Sequence, residues 1–328
     1  MNGHPPRMQL IPYALAFRQA IATGAGAWSE RRGAWLVLEA ADGRRGLGEI
    51  APLQAIPDFT ALERALADPA LLATALEQAN LDLEAQAAGV PIAALLANDS
   101  RDRVETNALL FASTAAVAAE EAAQAKANGF RTFKLKVGAA DPGEDIRRIE
   151  AIRERVGSGI RLRLDANGAW DERTALRVLR AVAPLGIEYV EDPVAGDSRA
   201  VRSGAGIAVA ADVRSQAEAL AAVQERRVDL LVLKPQALGG LRATRRIALA
   251  AIDAGIGVVV SSAFDTAVGV AGALHLAAGL PGPARAHGLA TVALLEDAPL
   301  DGLDPVEAGS LRLPAGPGLG VRLRDAAT

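Results

Sequence analysis

The sequence predicts an α/β protein, a (β/α) barrel preceded by a small α+β unit. Three observations carry this. From about residue 106 onward, short and continuously apolar runs alternate with longer amphipathic stretches rich in alanine and arginine. Runs without a polar face suit parallel strands covered by helices. Seven or eight such units favour a closed barrel over an open doubly wound sheet, the other arrangement with this alternation. The first hundred residues lack that alternation and carry a hairpin signal instead.

Taken in order, residues 35–40 read as a strand, Asp42-Gly43 as a turn and residues 46–50 as the partner strand. Residues 60–67 and 69–88 read as helices, the second stopped by Gly89-Val90-Pro91. Barrel strands are expected at 107–111, 132–137, 160–164, 187–190, 207–211, 230–233 and 257–260. Helices are expected at 114–128, 142–156, 171–183, 214–226 and 240–254, with a shorter connection at 197–204. The Pro- and Gly-rich tail from residue 308 contains the alternating Ser310-Leu311-Arg312-Leu313, which reads as a strand returning to the first unit. The expected division is therefore an α+β unit over 1–102, completed by 306–328, and a barrel over 103–305. No long linker separates them, so tight packing is expected.

Composition excludes several classes. The 328 residues are 51% hydrophobic and 23% charged, which suits a folded core rather than a disordered chain. Lys+Arg 35 against Asp+Glu 39 gives a net charge of −4 with no basic block. That argues against nucleic acid or an anionic membrane as partner. The absence of cysteine removes disulfides, thiolate zinc sites, iron–sulfur clusters and cysteine nucleophiles. His4, His275 and His287 are the only histidines, too few for a multi-histidine metal centre. Residues 1–20 lack a charged segment followed by an apolar run, and 255–280 is interrupted by Asp265, His275 and glycines. Neither reads as a leader or a span, and a cytoplasmic location is expected. Oligomeric state leaves no signal.

Of the 35 basic residues only four are lysine: Lys126, Lys134, Lys136 and Lys234. Arginine stays charged in proteins, whereas lysine can give up its proton. Lys126 stands before Asn128-Gly129 and reads as an ordinary charge at a helix C-terminus. The other three end apolar runs, as do Asp165, Glu191 and Asp212. Successive positions lie roughly 20–30 residues apart, about one βα unit each, so five strands would deliver charge to one mouth of the barrel. Three like charges there need neutralising, and a hard divalent cation with oxygen ligands does so; Mg²⁺ fits. Lys134 and Lys136, at i and i+2, share a strand face. Their mutual repulsion and a neighbouring cation would make their protons easier to lose, as a general base requires. Lys234 is expected across the barrel. A metal on a substrate carboxylate, flanked by lysines, would stabilise an enediolate formed by α-proton removal.

These residues resemble the enolase superfamily, muconate-lactonising subgroup. The resemblance rests on Lys134-Leu-Lys136, the Asp165, Glu191 and Asp212 trio, and Lys234 followed by Gly239-Gly240. It covers nearly the whole chain. It implies a modified (β/α)7β TIM-type barrel with an N-terminal α+β capping domain whose loops close over substrate. Within the subgroup, several segments are similar to the o-succinylbenzoate synthase branch of menaquinone biosynthesis. They are Gly46-Leu-Gly-Glu-Ile-Ala-Pro52, Arg163-Leu-Asp-Ala-Asn-Gly-Ala-Trp170, Val260-Ser-Ser-Ala-Phe-Asp-Thr-Ala-Val-Gly269 and His287-Gly-Leu-Ala-Thr291.

That resemblance implies a Mg²⁺-dependent lyase, with Mn²⁺ as a substitute ion, acting on a small-molecule carboxylate. The reaction is syn-dehydration of 2-succinyl-6-hydroxy-2,4-cyclohexadiene-1-carboxylate. Asp165, Glu191 and Asp212 would hold the metal. Lys136 would take the α-proton and then assist loss of hydroxide on the same face. Lys134 would tune Lys136 and touch the carboxylate. Lys234 would set its cation on the ring. Arg163, Asn167, Ser261, Ser262 and Gly288 would contact substrate, and Thr23–Gly26 would form a mobile lid. Dipeptide epimerases of the same superfamily share the opposed lysines but usually carry Asp-x-Asp on the eighth strand, and residues 288–295 contain none. N-Succinylamino acid racemisation and a non-catalytic ligand-binding barrel are the remaining alternatives.

Overall fold

Three antiparallel strands open the structure, a computed structural model describing residues 6–23, 26–138, 141–296 and 298–324. They are β1 (Arg7–Thr23), β2 (Gly26–Glu39) and β3 (Arg45–Ile50), paired in that order. Sequence pattern alone does not announce β1, because Pro12 and Arg18 break its apolar alternation. It is an edge strand, and an edge tolerates proline's missing N–H. Helices α1 (Phe59–Leu66), α2 (Pro69–Ala88) and α3 (Ile92–Leu96) follow. Local chemistry sets both ends of α2: Asp68 accepts from the Ala70 amide, Pro69 starts the first turn, and Gly89 ends the helix at φ 70°.

The barrel strands come next, separated by helices. After β4 (Arg103–Glu105) the order is β5 (Ala108–Leu110), α4 (Ala115–Ala127), β6 (Thr132–Lys136), α5 (Pro142–Val156), β7 (Arg161–Asp165), α6 (Glu172–Val182), β8 (Ile187–Glu191), α7 (Arg199–Gly204), β9 (Val209–Val213), α8 (Gln216–Gln224), β10 (Leu230–Leu233), α9 (Pro235–Leu238), α10 (Leu241–Asp253), β11 (Gly257–Val260) and α11 (Ala267–Ala278). The parallel sheet runs β5 to β11 in sequence order. Residues 287 and 288 close it. Parallel bridges join His287 to Thr106 beside β5 and Gly288 to Ser261 at the end of β11. The Asn107 amide donates to the His287 carbonyl at 3.0 Å, and the Gly288 amide to the Val260 carbonyl at 2.8 Å. The predicted TIM-type barrel with a strand-rich N-terminal part is thus the fold. Short strands β12 (Leu300–Asp301), β13 (Ser310–Arg312) and β14 (Arg322–Leu323) complete the chain. Strand β13 pairs with β4 rather than with the first sheet. Among the described residues no helix is long and apolar enough to cross a membrane.

Two differences from the pattern have simple causes. The strand expected at 207–211 runs two residues later, because Ala210–Val213 pair with Leu230–Leu233. Helix α11 has no amphipathic stripe since every one of its residues is buried, and a helix buried all round has no polar face to reveal it.

Buried polar contacts fasten the N-terminal part to the barrel. Glu49 on β3 is fully buried and caps α11: it accepts from the Thr266 and Gly269 amides at 2.9 and 2.7 Å and from Thr266 Oγ1 at 2.8 Å. Tyr13 donates to the same carboxylate at 2.5 Å. Glu77 on α2 caps α10 through the Leu241 and Arg242 amides, both at 2.9 Å. A carboxylate at a helix N-terminus satisfies unpaired N–H groups and meets the positive end of the helix dipole.

Candidate active site

The inner face of the sheet decides which side chains meet, since residues two apart on a strand point the same way. Lys134 and Lys136 on β6 lie opposite Arg163 and Asp165 on β7, and Asp165 lies opposite Glu191 on β8. Asp212 on β9 faces Val232 on β10, two residues before Lys234. At the carboxyl ends of these strands a narrow pocket is lined by Lys134, Lys136, Asp165, Glu191, Asp212 and Lys234. Asn167, Ser261, Ser262 and Gly288 also line it.

Charge is paired tightly here. The Lys134 ammonium lies 2.8 Å from Asp165 Oδ2 and donates to both Glu191 oxygens, at 2.8 and 2.7 Å. Lys136 Nζ lies 2.7 Å from Asp165 Oδ2 and 2.9 Å from Asn167 Oδ1. Lys234 Nζ lies 2.5 Å from Asp212 Oδ2. Burial by itself would lower the Lys134 pKa, but Asp165 and Glu191 outweigh it and hold the group well above the ordinary lysine value. The expectation of an easily lost proton supposed a neighbouring cation; with the two acids alone beside it, Lys134 holds its proton. Burial and the neighbouring Asp165 push Glu191 up to about 7, with Lys134 pulling the other way. Asp165 moves down: burial opposes ionisation, but Lys134 and Lys136 together prevail.

Three acids and interposed cations bear on the expected metal. Among the described residues no three acids stand as a ready ligand group, and each of these acids is engaged by a lysine. The donor chemistry nevertheless fits a hard divalent ion. All the candidate ligands are carboxylate oxygens, and an ammonium already stands between Asp165 and Glu191. Asp212 Oδ1 is buried without a hydrogen-bond partner, an unused lone pair at the same mouth.

Arg163 is not brought to the pocket, which corrects its assignment as a substrate contact. It starts one layer deeper than Asp165 and its guanidinium turns down the barrel. There it donates to Glu188 at 2.7 Å, the Ala286 carbonyl at 2.8 Å and Asn107 Oδ1 at 3.3 Å. It also lies 4.9 Å from the Tyr189 ring centre. With no exposed surface, it supports the floor. Lys126, read as a helix-end charge, donates to the Val156 carbonyl at 2.8 Å. Of the expected lid, Gly24 and Ala25 lie outside the described residues.

The sequence pattern missed several lining residues: Asn107, Leu109, Tyr189, Phe264 and Thr291. Tyr189 was findable, being two residues before Glu191 on the same strand face. Phe264 was not. It sits at φ 60° and packs edge-on against Phe17 at 5.7 Å, with Trp28 at 6.0 Å. Both partners come from the N-terminal sheet.

A capped parallel barrel with two lysines on one strand, three acids on the next three and a lysine beyond them is the arrangement of a class of barrel enzymes. A profile of the family described as Enolase C-terminal domain-like matches residues 117–327, and the chain belongs to the enolase superfamily, in its muconate-lactonising subgroup. The o-succinylbenzoate synthase of Thermobifida fusca (strain YX) is 42% identical over 202 residues, 60% of this chain and 62% of that protein, so the match spans under two thirds of that relative. The L-Ala-D/L-Glu epimerase of Bacillus subtilis (strain 168) is 34% identical over 255 residues, 75% of this chain and 69% of that protein. The dipeptide epimerase from Enterococcus faecalis V583, solved with Mg and the dipeptide L-Leu-L-Tyr, aligns with TM-score 0.86 at 26% identity, covering 97% of this chain and 99% of that one.

Proposed function

We propose that this chain is an o-succinylbenzoate synthase, dehydrating 2-succinyl-6-hydroxy-2,4-cyclohexadiene-1-carboxylate to o-succinylbenzoate. The observation that carries this is the placement of Lys136 beside Lys134 on one wall and Lys234 on another, all lining one pocket with three acids. Similarity to the Thermobifida fusca synthase supports the choice of substrate. Asp165, Glu191 and Asp212 would hold Mg²⁺, which when bound supplies positive charge to the substrate carboxylate oxygens. Asp165 and Glu191 would have to be shared between that ion and the lysines that now engage them. Lys136 Nζ, as free amine, takes the proton α to the carboxylate. The same Nζ returns that proton to the departing hydroxyl, so the ring loses water and becomes aromatic. Lys134 and Lys234 remain cationic and offset the negative charge that develops on the substrate. Ser261, Ser262 and Gly288 would line the succinyl side, and Asn167 would be a further substrate contact beside Lys136.

An epimerase is the second reading, because lysines on opposite walls also suit removal of a proton from one face and its return to the other. The match to the Bacillus subtilis epimerase favours it. The absence of an acid pair in residues 288–295 disfavours it, since a dipeptide ammonium group would lack a counter-charge there.

The deciding experiment incubates the protein and Mg²⁺ with the cyclohexadiene substrate, and in parallel with dipeptides and N-succinylamino acids. The aromatic product is expected to form, and EDTA to stop it. Lys136→Ala should lower kcat by at least about a thousandfold with the fold intact. Absence of aromatic product with metal present defeats the synthase assignment, and turnover of dipeptides alone installs the epimerase.

A further inference from the structure

At the opposite, amino-terminal end of the barrel lies a cleft of about 460 Å³ that plays no part in the chemistry above. Its charged lining is Arg101, Arg103, Glu105 and Arg285, with His287 among the other walls. Glu105 is already neutralised by Arg161 at 2.8 Å. Arg103 is in turn paired with Glu307 at 2.7 Å, so both of these charges already have partners.

Arg285 is the loosely held member. Among the described residues it makes only a long ion pair, 3.7 Å, to Glu188 Oε1. Glu188 does not depend on it, since Arg163 holds Oε2 of the same carboxylate at 2.7 Å. Arg285 can turn to another anion without leaving a bare charge behind, which is the costly outcome for a paired group. Its guanidinium also lies close to Gly257: a Cβ at that position would meet Arg285 Cζ at 3.4 Å.

His287 adds a fixed donor. It is buried, and its Nδ1 accepts from the Val260 amide at 2.9 Å. A neutral ring whose Nδ1 accepts must carry its proton on Nε2. Burial, with Arg163, Arg101 and Arg285 nearby, pushes the ring down to about 3, so it is neutral at physiological pH. The side chain thus offers the cleft an N–H without adding charge. By contrast, Arg101 is committed to the Leu280 and Gly282 carbonyls at 2.9 and 2.8 Å and acts as a rigid wall.

We infer that this basal cleft binds a small organic or inorganic oxyanion, carboxylate or phosphate, held by the Arg285 guanidinium and the His287 Nε2–H between Arg101 and Arg103. Planar forked donors suit both oxyanion types.

Calorimetric titration of the full chain tests this, with sodium phosphate in one arm and sodium succinate in the other at ionic strength held constant with sodium chloride. Saturable binding of at least one anion is expected. Arg285→Ala should weaken it by about tenfold or more, and Arg285→Lys by less, because charge remains but the fork is lost. Circular dichroism checks that each variant folds. Lys136→Ala, which alters the other mouth of the barrel, should leave this affinity unchanged. No saturable heat in the wild type, equal affinity in Arg285→Ala, or loss in Lys136→Ala instead would overturn the assignment. The last outcome would put the anion in the lysine pocket.

Discussion

Lys134 donates to both oxygens of Glu191, at 2.8 and 2.7 Å, and so occupies the position among the acids that a divalent cation would contest. A bound metal would therefore compete with the ammonium. Mg²⁺ is expected to raise the melting temperature progressively with the logarithm of its concentration above Kd, reaching about 2.7 kcal/mol of stabilisation at a hundredfold excess. Glu191→Gln should weaken Mg²⁺ affinity about tenfold or more. In Lys134→Met the metal-dependent gain should exceed that of the wild type, because a competitor is gone. Thermal melts across a Mg²⁺ series read all three, and a flat wild-type series rules the site out.

The same affinity should depend on pH. A metal needs the ionised carboxylate. Burial and Asp165 push Glu191 up to about 7, so its protonated form gains population as pH falls through that value. Mg²⁺ affinity is expected to fall between pH 8 and pH 6, approaching about tenfold per pH unit below about 7. Calorimetry at three pH values checks this, and a pH-independent Kd contradicts it.

Glu49 welds the first sheet to the barrel by capping α11, with two backbone amides and Thr266 Oγ1 on one buried carboxylate. Glu49→Ala leaves those donors unpaired. A loss of about 2–4 kcal/mol is expected in urea denaturation, and a loss under about 0.5 kcal/mol would mean the junction is held by apolar packing instead.

Phe264 forms a pocket wall, and Phe17 and Trp28 back its ring. Phe264→Ala should raise KM about tenfold, the worth of one lost apolar contact surface, while the Mg²⁺ Kd stays the same. A change in metal affinity would place the ring's influence on the acids rather than on substrate.

His275 carries an acid sensitivity. Its Nδ1 accepts from the Ala93 amide at 3.3 Å and its Nε2 meets the Leu319 carbonyl at 3.1 Å, tying α3 and the C-terminal segment together. Burial pushes it down to about 4. The unfolded chain, with an ordinary histidine near 6.5, binds the proton first. The neutral ring's contribution is therefore complete above about 6.5 and is lost as pH falls toward about 4, at up to about 1.4 kcal/mol per pH unit. The stability gap between wild type and His275→Gln should narrow over that window. An unchanging gap would remove His275 from the acid response.

What was legible in the sequence is what local rules govern. Asp68-Pro69 and Gly89 bound α2, and each apolar barrel run became a strand. The three strand-end lysines and three acids meet because side chains alternate along a strand and each βα unit returns to the same end. Illegible were elements defined by what lies beside them. Strand β1 needs its edge position to tolerate Pro12. Helix α11 shows no stripe because it is covered on every side.

The chain order of βα units and the residue types at their ends already determined a capped barrel with a lysine-and-carboxylate mouth. Tertiary structure alone decided the rest. It turned Arg163 away from the pocket toward Glu188 and paired Lys134 with two acids, so that its proton is held rather than loosened. It also built a pocket wall from Phe264 with ring partners more than two hundred residues away in the chain. The physical reason is range. Strand alternation acts over neighbouring residues, whereas burial, ion pairing and the backing of a ring depend on which distant groups the closed barrel brings within a few ångströms.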